Sequence, residues 1–198
     1  MPTFSIVARA PTTGELGICV VTGAPSVRDR VPFIAAGVGA IATQGFTNEL
    51  YGVEGLALLR KGAPPQDVLT QLLSRDPDRE LRQVTIVDGK GETTAFTGSK
   101  TLGWRGHKIG DQYVVAGNLL VSKAVLDSTT RAFEDSTGSL AVRLLHAIQA
   151  GEEAGGDRRG ILSAALVVAG EDGQAIDLRS DRSSNPIRDI EALLKRHS

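Results

Sequence analysis

Twenty-three of the 198 residues are glycine, and they fall where short apolar runs end. Gly14, Gly17 and Gly23 form one group, Gly37, Gly39 and Gly45 a second, Gly89, Gly91 and Gly98 a third, and Gly170 and Gly173 a fourth. Between them lie stretches such as Leu16 to Val21, Val38 to Thr43 and Ile161 to Ala169. Glycine tolerates the positive φ of tight turns, so this punctuation predicts many short strands rather than a helical bundle. It does not predict disorder, because 41% of the residues are hydrophobic and only 23% are charged, as in ordinary globular chains.

Periodicity fills in the rest. Phe4 to Ala8 and Leu16 to Val21 read as a hairpin around Thr13-Gly14-Glu15. Val38 to Thr43 reads as a third strand. Glu49 to Lys61 and Pro64 to Ser74 then carry apolar residues at helical spacing. Arg82 to Asp88 and Glu92 to Thr97 flank Gly89-Lys90-Gly91, a hairpin signal. Gln112 to Ala116 is another strand, and Ser122 to Glu134 and Ser139 to Ala150 are helices; the second aligns Leu140, Leu144, Leu145 and Ile148. Ile161 to Ala169 pairs with Ala175 to Arg179. A last helix starts at Pro186, with Asn185 as its expected cap. Strands that arrive as hairpins form antiparallel sheets. The expectation is an α+β fold, two mainly antiparallel sheets covered by helices, in one domain spanning 1–198, long enough to bury roughly 70% of its unfolded surface.

Charge and composition narrow the function. The net charge is −1 with no basic block, so no nucleic-acid partner is expected. No apolar run is long enough to span a bilayer, and no export signal is read at the amino terminus, so a cytoplasmic protein without a membrane partner is expected. One cysteine, Cys19, excludes an internal disulfide and a Cys-Cys zinc site; it reads as a core filler, and neither a metal nor a cofactor is expected. There is no G-x-S-x-G, Walker loop or H-E-x-x-H. His107 sits in an expected loop, His146 within a helix, and His197 at the end of the chain.

Polar groups then concentrate in four places. Thr3 and Ser5 alternate onto one side of the first strand. Gln44, Thr47 and Asn48 follow the third, although Thr47 or Asn48 also suits the cap of the next helix. Gly117-Asn118 ends another strand. The run Gly155-Gly156-Asp157-Arg158-Arg159-Gly160 precedes an apolar strand that needs only a short turn before it. It reads as a charged surface loop or as one wall of a small-molecule site, with Arg158 or Arg159 able to fork a carboxylate. All four lie at strand ends, which sandwiches bring together.

These segments carry a resemblance: TFSIVAR at residues 3–9, TGELG at 13–17, ATQ at 42–44, Thr47-Asn48, Tyr51-Gly52, GLALL at 55–59 and GGDRRG at 155–160. Together they resemble a widespread prokaryotic family catalogued as a domain of unknown function and grouped with the N-terminal nucleophile (Ntn) hydrolases. The resemblance runs from Thr3 to about Arg179. It implies a four-layer αββα sandwich and hydrolysis of a carbon–nitrogen bond (amide, ureido, or enamine and imine), that is, an amidohydrolase or deaminase. The substrate is expected to be small, polar and carboxylated, and the protein a homo-oligomer, dimer or higher. The superfamily places its nucleophile at the mature amino terminus, with its own α-amine as base, which matches Thr3. Gln44 and Asn118 then serve as oxyanion or substrate donors, and Asp157 with Arg158 as a charged wall. The chain departs from the pattern at Pro2, which stands between Met1 and Thr3, and at Leu162, where relatives are expected to carry a polar residue. Either trimming frees Thr3, or another base serves, or the mechanism has been lost. Ser5, or a deaminase chemistry centred on Asp157, stands behind Thr3, and a non-catalytic oligomeric small-molecule-binding protein is the rival from another class.

Overall fold

The computed structural model describes residues 3–173 and 175–197. Met1 and Pro2, on which the expected trimming falls, lie outside the described residues. Among the described residues, five α-helices and ten strands follow one another: β1 (Thr3–Arg9), β2 (Leu16–Thr22), β3 (Pro32–Ala35), β4 (Gly39–Gly45), α1 (Leu50–Arg60), α2 (Pro65–Ser74), β5 (Arg82–Asp88), β6 (Thr93–Thr97), β7 (Trp104–Gly110), β8 (Tyr113–Leu120), α3 (Ala124–Asp135), α4 (Leu140–Glu153), β9 (Ser163–Ala169), β10 (Ala175–Ser180) and α5 (Pro186–Leu194). The strands form a six-stranded sheet in the order β10-β9-β2-β1-β8-β7 and a four-stranded sheet in the order β3-β4-β5-β6. All pairings are antiparallel, as hairpin-fed strands require.

Three apolar clusters hold these elements. In β1, Phe4, Ile6 and Ala8 join a cluster with Leu144 and Ile148 of α4 and Ile187 and Ile190 of α5. Val7, on the opposite face, joins Leu16, Ile18 and Val20 of β2 and Ala40, Ala42 and Val87 of the smaller sheet. A third cluster sets Tyr51 and Leu59 of α1 and Val68 and Leu72 of α2 against Ile41, Val84 and Ile86. The two-residue alternation of β1 therefore decides what lies between the sheets: Thr3, Ser5 and Val7 share one face.

Three expectations are corrected. The stretch read as the third strand is the fourth, because Pro32–Ala35 forms a short strand before it. At four residues opened by a proline, an edge strand carries little periodic signal. Trp104 to Gly110 is a strand and not a loop; its residues alternate between exposed and half-buried, and pairing with β8 fixes it despite a register break between Trp104 and Gly106. Asn185 makes no side-chain cap at α5, whereas the hydroxyl of Ser139 does accept from the Val142 N–H at α4.

Candidate active site

The face of β1 that carries Thr3 and Ser5 meets a buried amide network. The Ser5 hydroxyl donates to Gln44 Oε1 at 2.8 Å. Gln44 Nε2 donates to Gln83 Oε1 at 2.8 Å, and Asn118 Nδ2 donates to the same oxygen at 3.0 Å. Gln83 Nε2 in turn faces Gly106 O at 2.9 Å, Gly117 O at 3.0 Å and Thr97 Oγ1 at 2.9 Å. Ser5, Gln44, Gln83 and Asn118 are all buried.

Backbone carbonyls only accept, so two of them orient the Gln83 amide unambiguously. Its oxygen must then face Gln44 and Asn118, which orients both of those amides. Gln44 consequently presents its own oxygen to Ser5. The Ser5 proton is committed to Gln44, leaving only lone pairs for anything else. The network ends at His107, whose Nδ1 lies 2.8 Å from Thr97 Oγ1.

Thr3 lies opposite Thr22 on one side and Asn118 on the other. Its hydroxyl is 3.3 Å from Thr22 Oγ1. The corner that begins at Thr22 is tied to the distant glycine-rich loop: the Gly23 N–H donates to Asp157 Oδ2 at 3.1 Å. Asp157 also accepts from the Arg159 backbone N–H at 2.9 Å and pairs with the Arg159 guanidinium at 3.3 Å. The three glycines of that loop, Gly155, Gly156 and Gly160, all have positive φ, a conformation that side chains disfavour.

A second stitch runs through Leu119, which has a φ of 53°, unusual for an apolar residue. Its N–H donates to Leu102 O at 2.8 Å, and its carbonyl accepts from Arg158 N–H at 3.1 Å. Leu120 then bridges to Asp157. Thr3, Thr22, Asn118 and Asp157 thus converge at one end of the larger sheet, although 154 positions separate Thr3 from Asp157.

The remaining expected residues divide. Arg158 is exposed and forms no salt bridge among the described residues, whereas Arg159 is bound to Asp157. Glu152 stands behind the loop with Oε2 buried and without a hydrogen-bond partner; desolvation first, and the Asp157 charge second, raise its pKa. Asn48 makes two contacts within the fold: its Oδ1 accepts from Leu50 N–H at 3.2 Å at the start of α1, and its Nδ2 reaches Asp76 Oδ2 at 3.3 Å. Thr47 Oγ1 is buried beside it with no partner.

Asp76 is the centre of a buried cluster that the sequence reading missed. Arg82 Nε meets it at 2.8 Å and Tyr51 Oη donates to it at 2.9 Å. The Arg82 guanidinium holds the Asp76 carboxyl well below the usual carboxylate range. Arg82 also donates to Phe46 O at 2.7 Å and lies over the Phe46 ring, which fixes the segment after Gln44. Gln83 and Thr22 were missed as well; a glutamine on the inward stripe of a strand was the available signal.

A cavity of about 150 Å³ opens beside this site, between Gly45-Phe46, Leu81 and Lys100-Thr101-Leu102, and reaches Asn118. A larger hollow of about 460 Å³ lies against α3 and α4, lined by Ser128, Arg131 and Glu153 among others, and holds none of the expected residues. No group of three or more His, Cys, Asp or Glu among the described residues is placed to hold a metal ion. No helix among them is long and apolar enough to cross a membrane.

No curated protein matches the chain. The crystal structure of a protein of the DUF1028 family from Silicibacter pomeroyi is similar at 35% identity and a TM-score of 0.94, over 99% of this chain and 86% of that one. Anbu (ancestral beta-subunit) from Yersinia bercovieri is similar at 9% identity and a TM-score of 0.43, over 98% of this chain and 96% of that one, a likeness too slight to argue from. The model of the family of unknown function DUF1028 matches residues 3–190, and the chain belongs to that family.

Proposed function

We propose that this chain is an Ntn-like hydrolase that cleaves a carbon–nitrogen bond of a small, polar, carboxylated substrate, on one domain with the four-layer αββα arrangement of that superfamily. The observation that carries the reading is the setting of Thr3: it begins a strand, between Thr22 and Asn118, at the end of the sheet where Asp157 fastens the Thr22–Gly23 corner. A Thr3 freed of Met1 and Pro2 carries an α-amine with a pKa near 8, able to take the hydroxyl proton near neutral pH. Oγ1 then attacks the carbonyl carbon, and the Asn118 amide, together with backbone N–H groups, stabilises the oxyanion. The leaving nitrogen departs with the proton, and water releases the acyl group from Thr3.

The network refines the other roles. Gln44 spends its oxygen on Ser5 and one N–H on Gln83, so it orients more than it binds. Ser5 acts as an acceptor. Asp157 holds the corner, and Arg158, unlike Arg159, is available for a carboxylate. In the deaminase variant, water attacks an enamine or imine near Asp157 and no amino-terminal nucleophile is needed. One observation favours the rival, a non-catalytic oligomeric binding protein: Thr3 is fully buried. Incubation with small amides, N-acyl amino acids, ureido acids and enamines, with release of ammonia or primary amine measured, separates them. Turnover supports the hydrolase, and saturable binding without turnover supports the binding protein.

A further inference from the structure

The cavity beside Asn118 has walls of a different character from the rest of the site. Phe46, Leu81 and Leu102 supply hydrocarbon. Thr101 spends its hydroxyl on Gly98 O at 2.8 Å, and its methyl carbon would stand 3.2 Å from a Cβ placed at Gly45, so no side chain fits there without a shift. Gly45 contributes bare backbone to the wall, at a φ of 82° that side chains disfavour. Phe46 and Leu102 are 69% and 65% exposed, which leaves two large apolar side chains in water at one opening. Lys100 stands at the cavity as well, exposed, with the Glu80 carboxylate within its electrostatic reach.

The place of the cavity in the site is set by Asn118. That residue pairs with Thr3 in the ladder and reaches the cavity, and the next residue, Leu119, accepts the Arg158 N–H. A hydrocarbon space and the backbone of Arg158, whose exposed side chain forms no salt bridge among the described residues, therefore flank the strand end that faces Thr3. A volume of about 150 Å³ corresponds to about five water molecules at ~30 Å³ each, enough for a chain of roughly four to six carbons.

We propose that this cavity is the acyl-binding subsite, and that the substrate class is the short-chain N-acyl amino acid, its uncharged acyl chain beside Asn118 and its carboxylate toward Arg158. This inference rests on the reading of Thr3 as nucleophile, because that reading places the scissile carbonyl between the two flanks. Each methylene that enters the cavity tightens binding about fourfold, since burying it gains ~0.8 kcal/mol. Chains beyond about six carbons protrude and gain nothing more.

The test uses N-acetyl-, N-butyryl-, N-hexanoyl- and N-decanoylglycine, with dissociation constants measured by titration of the full-length protein. Affinity is expected to rise at least tenfold from acetyl to butyryl or hexanoyl and to stop rising at decanoyl. Leu102→Gln, at a position 65% exposed, is expected to weaken hexanoyl binding about fivefold and acetyl binding less than twofold. Equal affinities along the acyl chain, or a Leu102→Gln variant with the wild-type profile, would overturn the subsite. Primary amine release is measured in parallel. A chain-length profile without turnover upholds the cavity and overturns the hydrolase reading alone.

Discussion

Replacing Gln83 by Glu tests the hydrogen-bond polarity of the site. The substitution keeps the shape of the side chain and its oxygen toward Gln44 and Asn118, but removes the Nε2 donor that faces Gly106 O and Gly117 O. In the protonated variant one donor remains, so the loss relative to wild type is about 1 kcal/mol. Ionising it places a carboxylate against two carbonyl oxygens at a position with no solvent exposure. Burial of that kind raises a carboxyl pKa by about 3 units. The sign follows: with an unfolded value of about 4.3 and a raised folded value, stability is full below about pH 4 and is lost as pH rises toward the folded value. At 1.4 kcal/mol per unit, the variant loses about 3 kcal/mol more than wild type between pH 5 and pH 8. Urea unfolding followed by the fluorescence of the single tryptophan, Trp104, measures both proteins at both pH values. A difference between variant and wild type that is the same at pH 5 and pH 8 to within about 0.5 kcal/mol would refute the orientation derived for Gln83, and with it those of Gln44, Asn118 and Ser5.

Asp76→Asn is expected to cost about 3 kcal/mol at pH 7, because it takes from the buried Arg82 its close buried counter-charge and leaves only the exposed Asp78 at 3.8 Å. The Asp76 pKa is depressed, so its contribution is present above about pH 4 and fades as pH falls below that; acid titrations of the two proteins should therefore converge at low pH. Arg158→Lys should weaken N-butyrylglycine binding by about 1.5–3 kcal/mol in calorimetry, while Arg159→Lys disturbs mainly the loop; unchanged affinity in both would remove the arginines from the site. The Cys19 thiol is pushed up to about 12 by burial, so labelling by a thiol reagent at pH 8 should track global unfolding, and rapid labelling of the native protein would contradict its place in the core.

The glycine punctuation and the helical spacings made most of the fold legible, because both are local signals. Leu140, Leu144, Leu145 and Ile148 mark α4 within the sequence itself, and all four are buried. Pro32–Ala35 and Trp104–Gly110 were not legible as strands, since both are edge strands held by partners and neither has a continuous apolar stripe. The site divides in the same way. Thr3 and Ser5 could be placed on one face by the period of a strand. The inward stripe of β5 could flag Gln83 but not its role, because that comes from Gly106 and Gly117, 23 and 34 positions away. Asn48 shows the converse limit: its cap and substrate readings look alike in sequence, and its contacts with Leu50 N–H and Asp76 come from the fold.

The central claim is that Thr3 is the nucleophile, and amine release by wild type, Thr3→Ser and Thr3→Ala, with the intact mass of each active fraction, tests it most directly. The account predicts that the active wild-type protein has lost Met1 and Pro2. Thr3→Ser should keep part of the activity because the oxygen survives. Thr3→Ala should lose turnover, with a stability loss of only about 1 kcal/mol from the buried Thr22 hydrogen bond. Full activity in a Thr3→Ala protein that still begins with Met1 would contradict it.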